Sequence, residues 1–139
     1  MTPSVIIQLD HPAAHIQPGE TLHGTYRLVD IRFHEIQRLE FSVLWFTEGK
    51  GDEDLGVHHF ESIRSEEETA FQEFVRCYQE SQTVPFAVPL PLSPLSYYGL
   101  ILKIRWCVRV RVYMKNGREW MSEKLFTIGN LPPVTVTLN

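Results

Sequence analysis

The longest alternation of apolar and polar positions in the chain runs from Leu100 to Met114. Leu100, Leu102, Ile104, Trp106, Val108, Val110, Val112 and Met114 fall on one face, and Lys103, Arg105, Cys107, Arg109, Arg111 and Tyr113 on the other. A period of two means a strand with one buried face, which belongs to an antiparallel sheet packed on one side only. Its length predicts a central strand of a β-sandwich. The segment before it, from Val84, carries Pro85, Pro89, Pro91 and Pro94. Proline fixes φ and removes a backbone donor, so this part is predicted to be an extended edge or crossing segment.

The remaining pattern is read in the same way. Ser4–Asp10 is a strand, and Pro18-Gly19 closes the following loop as a type II turn in which glycine supplies the positive φ. Glu20–Val29 turns Leu22, Gly24, Tyr26 and Leu28 inward. Gln37–Glu48 turns Leu39, Phe41, Val43 and Trp45 inward and Arg38, Glu40, Ser42, Leu44 and Phe46 outward. Val57–Ser65 alternates weakly, with Val57, His59 and Glu61 on one side and His58, Phe60 and Ser62 on the other, and is predicted to be an edge. Glu66–Glu80 has two readings. Phe71, Phe74, Val75 and Tyr78 share a helical face, yet Val75–Ser81 also serves as a strand leading into the prolines.

The last hairpin can be assigned a register. A two-residue Asn116-Gly117 turn would place Glu119 and Glu123 on the core face. A three-residue loop, Lys115-Asn116-Gly117, with Gly117 left-handed, instead pairs Arg109 with Glu123 outside, and Trp106 with Phe126 and Val112 with Trp120 inside. The bulged loop is therefore predicted. Pro132-Pro133 ends the strand, and Val134–Leu138 is a terminal extended segment. About seven to eight strands at short spacing give an all-β, immunoglobulin-like antiparallel sandwich.

Composition adds bounds. The 139 residues fit one domain, residues 1–139, with a 43% apolar fraction ample for a core. No stretch is long and apolar enough to enter a membrane, and the N-terminus lacks the basic region of a signal peptide, so a cytoplasmic location is expected. The net charge of −4 argues against nucleic acid as a partner. Cys77 and Cys107 form no framework or metal knuckle. Glu48, Asp52, Glu53 and Asp54 lack the spacing of a calcium loop, and His58-His59, on opposite faces of a strand, are poorly placed to share a metal. No cofactor is expected, and no nucleophile motif or phosphate loop points to an enzyme.

Pro18-Gly19-Glu20 with Gly24, the Leu39–Trp45 strand, Phe86, Pro89-Leu90-Pro91, Pro94-Leu95-Ser96 and the run Ile104, Trp106, Val108, Val110 resemble an arrestin-type domain over Val5–Phe126. The resemblance implies an arrestin-like sandwich and a family of binding proteins, including arrestins, trafficking adaptors and bacterial sporulation-control proteins. Arrestins join two such domains and this chain has room for one, so a homodimer is expected, a second copy standing in for the other domain. The chain shows no match to the family's buried charged switch, no PPxY motif and no clathrin-type box, and no functional residue is carried over.

The most distinctive surface is the stripe of Lys103, Arg105, Arg109 and Arg111, with outward Leu44 and Phe46 beside it. Neighbours two apart on one strand face lie about 7 Å apart and can grip an anionic peptide or phosphate. Cross-strand pairing with Glu40, Glu48 and Glu123 is the plainer account of the same arginines. The leading expectation is a non-catalytic adaptor or scaffold that binds a protein through this face or by strand addition. A second is a small ligand-binding or hydrolytic sandwich with a cleft near His58, His59 and Glu61. A third is a component of a larger envelope or capsid-like assembly.

Overall fold

The computed structural model describes residues 2–49, 53–99 and 102–129. In chain order its elements are β1 (Ser4–Leu9), β2 (His15–Ile16), β3 (Thr21–Val29), β4 (Ile36–Gly49), β5 (Leu55–Arg64), α1 (Glu68–Ser81), β6 (Val84–Pro89), β7 (Tyr97–Tyr98), β8 (Leu102–Met114) and β9 (Glu119–Ile128). Within the described residues, one sheet has the order β1-β3-β6, and the other β2-β9-β8-β4-β5 with β7 added against β8. The strands pair antiparallel apart from β2, which runs parallel to β9. This is the expected immunoglobulin-like sandwich, with nine strands among the described residues where about seven to eight were expected. Two of them, β2 and β7, have two residues each, too few to carry a readable period. Leu100, Asp52 and the predicted terminal segment Val134–Leu138 lie outside the described residues.

The inner faces build the core as their alternation requires. Leu22, Tyr26 and Leu28 of β3 meet Leu39, Phe41 and Val43 of β4 and Trp106, Val108, Val110 and Val112 of β8. Gly24 also faces inward, where a Cβ would come 2.6 Å from the Phe86 ring and 2.5 Å from the Gln8 carbonyl oxygen. The aromatic ring of β6 thus fills the place of a β3 side chain. As predicted, β8 is central, flanked by β4 and β9. The hairpin has the bulged loop: Gly117 lies at φ 90°, and the Met114 N–H donates to the Arg118 carbonyl at 2.8 Å. Trp106 opposes Phe126, Arg109 opposes Glu123 and Val112 opposes Trp120.

The prolines do what their chemistry allows. β6 is an edge strand paired to β3, with Pro85 opposite Thr25 and Pro89 opposite Thr21. The chain then crosses to the other sheet. There the Ser96 N–H donates to the Ile128 carbonyl at 3.0 Å, its hydroxyl accepts the Ile128 N–H at 2.8 Å, and the Trp106 indole N–H donates to the Pro94 carbonyl at 2.9 Å.

Two readings are corrected or settled. Glu68–Ser81 is helical, because the Phe71, Phe74 and Tyr78 face has a core edge to cover. On β5 the strict alternation fails. The pairing with β4 shifts between Val43 and Leu44, so that Val43 meets His59 and Leu44 meets Val57, leaving His58 as an extra residue. A bulge reverses parity beyond it. Val57 therefore joins Phe60 and Ser62 on the outer face. His58 and His59 are not on opposite faces: His59 stacks edge-on against Phe41, while His58 packs against Trp106 and reaches the Pro89 carbonyl at 2.7 Å.

A candidate protein-binding face

The outer face of the larger sheet is assembled by register. Val57 of β5 pairs with Leu44 of β4, Leu44 with Cys107 of β8, and Cys107 with Leu125 of β9. Four residues, one from each of four strands, thereby form one apolar row across the sheet. In the flanking rows, Phe46 pairs with Arg105 and Ser42 with Arg109. The predicted residues Lys103, Arg105, Arg109, Arg111, Leu44 and Phe46 all lie on this sheet face. Leu44, however, is only 1% exposed, so it is not a contact surface as expected.

The exposed apolar surface is supplied by β5 and β9. Leu55, Val57 and Phe60 are each more than half exposed, and Met121 and Leu125 nearly so. With Leu44, Ser42 and the stems of Arg109 and Arg111, the three β5 side chains line a notch of about 140 Å³. The weak alternation of β5 hid these residues, and the bulge was the missing signal.

The arginines are engaged. Arg109 donates to the Glu123 carboxylate at 3.0 Å. Arg105 faces Glu48 at 3.3 Å and Arg111 faces Glu119 at 2.9 Å, in both cases through Nε and off the N–H axis, so these are ion pairs without a hydrogen bond. Such half-exposed pairs contribute only about 0.2–1 kcal/mol each. They nevertheless leave each guanidinium with a carboxylate that an anionic ligand must displace.

Cys107, a member of the same row, is fully buried. Burial, then the neighbouring Glu123 carboxylate, to which its thiol donates at 3.5 Å, push its pKa up to about 12. A raised acid stays protonated in the fold while the unfolded chain ionises near 9, so its contribution is complete below about pH 9 and is lost as pH rises towards 12. About 1.4 kcal/mol of stability should be gone by pH 10 relative to pH 8. Urea melts of the wild type and Cys107→Ala across this range check it, the alanine variant showing a flatter decline. At pH 8 a thiol reagent should label exposed Cys77 and leave Cys107 until the chain is unfolded.

Among the described residues, the His59 Nε2–H donates to the Glu61 carboxylate at 2.9 Å, and no histidine hydrogen-bonds a serine or cysteine. The second expectation thus finds its histidine and carboxylate adjacent, on the inner side of β5. Within the described residues no helix is long and apolar enough to cross a membrane.

No family model matches the chain, and no curated protein matches its sequence. Solved structures do. The sporulation control protein Spo0M from Bacillus subtilis is 13% identical, with a TM-score of 0.56 over 93% of this chain and 50% of that one. The chain therefore spans half the length of that structure, and the likeness shows that its fold is the arrestin-like β-sandwich.

Proposed function

We propose that the protein is a non-catalytic, arrestin-like binding module that acts in the cytoplasm as an adaptor or scaffold, taking a protein partner on the outer face of its larger sheet. The observation that carries this reading is the apolar row with exposed Leu55, Val57 and Phe60 at its β5 end, bordered by Arg105 and Arg109. An apolar patch with a charged rim is the composition of protein interfaces. The similarity in fold to a sporulation control protein supports a regulatory role over a metabolic one.

The paired arginines make orientation and partner choice their part, and the apolar β5 residues the source of affinity. Val57→Glu with Phe60→Glu, both exposed and free to change without disturbing the core, is expected to abolish capture of the partner from the source-cell lysate. Arg105→Glu with Arg109→Glu and Arg111→Glu should weaken it and reduce its salt dependence. Retention by the folded Val57 and Phe60 variant overturns the reading. The proposed homodimer would use the same face. Sedimentation should give the mass of two chains at micromolar concentration for the wild type and of one for the Val57 and Phe60 variant; one chain for the wild type removes the homodimer.

A further inference from the structure

The two sheets part between their edge strands β5 and β6. There, α1 bridges from one to the other and roofs a cavity of about 360 Å³, within the range of small-molecule sites. Its floor is the buried Tyr26 and Phe41 with Phe74 and Val84, and its mouth carries the exposed carboxylates of Glu61 and Glu67. No basic side chain lines it among the described residues. Burial, and then the Glu61 carboxylate, raise the Tyr26 pKa, so the ring stays a neutral phenol at the bottom of a negatively charged opening.

We propose that this cavity is a binding site for a small organic ammonium ion carried on an apolar body. The floor takes the apolar body by burial. The faces of aromatic rings attract a cation, and the two carboxylates complete its recognition. An anion is rejected by the same carboxylates, with no cation present to receive it. A bare metal ion would gain nothing from the aromatic floor. Glu61 is held by His59 on its inner side, which fixes its place at the mouth. The site lies on the opposite side of β5 from the outer face, so it stands independently of the protein-binding reading.

The test uses two probes with the same apolar part and opposite charge, 4-phenylbutylamine and 4-phenylbutyrate, followed by the methyl resonances of Ile63, Ala70 and Val84, which line the cavity. The amine should shift them saturably at neutral pH, and the carboxylate should bind at least about tenfold more weakly. Glu61→Gln with Glu67→Gln should reduce amine affinity about tenfold while leaving the rest of the spectrum unchanged. Ala70→Phe, made on an exposed helix position, fills the cavity without removing a core side chain and should abolish binding. Equal binding of both probes, undiminished binding by the glutamine variant, or binding that survives Ala70→Phe overturns the proposal, as does the absence of any saturable shift with the amine.

Discussion

Trp106→Ala is expected to destabilise the fold by about 3–5 kcal/mol, the upper range for removing a buried aromatic side chain. The indole is fully buried in β8, its ring beside Phe126 and His58 at centroid distances of 6.0 Å each. Its N–H also holds the Pro94 carbonyl, tying the proline crossing to the central strand. Truncation leaves a cavity in the middle of the sandwich and an unmet carbonyl at the crossover, and neither can close easily, because β8 is fixed on both sides by β4 and β9. Against a total of about 5–15 kcal/mol, this is a large fraction of the stability. The shift of the urea midpoint reads the loss. Trp106→Phe separates the two terms: it keeps much of the volume and should cost about half as much. A loss below about 1 kcal/mol for the alanine variant would mean the indole is not the keystone of this layer.

The strands with strong alternation were legible because burial acts on them residue by residue. β3, β4 and β8 each show one apolar face in the sequence, and the hairpin register follows from keeping Glu119 and Glu123 out of the core. The bulge at His58 was not legible. A period of two says which residues share a face only while no extra residue enters, and the shift at Leu44 is set by pairing with another strand. The helical outcome for Glu68–Ser81 also depended on a distant partner, since its aromatic face needs the open edge of the core to cover. For the same reason the outer face was half visible. The charged stripe belongs to one strand and stood out in the sequence. The apolar row takes one residue from each of four strands, and only register brings Val57, Leu44, Cys107 and Leu125 into line.

This division also bears on how the proposed face would work. The arginines form ion pairs with Glu48, Glu119 and Glu123, directly across for Arg109 and diagonally for Arg105 and Arg111, so the stripe alone would be a poor gripper of anions. On the proposed reading its value lies in bordering an apolar surface, where paired charges would suppress wrong partners at little cost in stability. The stripe and the apolar row are therefore parts of one surface, and substitutions on β5 should affect binding more than those on β8.

Tyr78→Phe is expected to cost about 2–4 kcal/mol for the loss of a single oxygen atom. The ladder between β3 and β6 runs only from Thr21 to Tyr26 on β3, so at Leu28 there is no β6 backbone to pair with. The Tyr78 hydroxyl takes that place. It accepts the Leu28 N–H at 2.8 Å and donates to the Leu28 carbonyl at 3.1 Å, both buried. Phenylalanine would keep the edge-on packing against Phe33, whose ring centre lies 5.0 Å away, and leave both backbone groups unmet. Each unsatisfied buried group costs about 1–3 kcal/mol, so the loss is larger than one ordinary hydrogen bond. Because α1 roofs the cavity between β5 and β6, the same change should loosen that roof and speed hydrogen exchange of the Leu28 amide ahead of the β8 amides. A Tyr78→Phe protein with unchanged melting and unchanged Leu28 exchange would show that water replaces the hydroxyl and that the helix is held by its aromatic contacts alone.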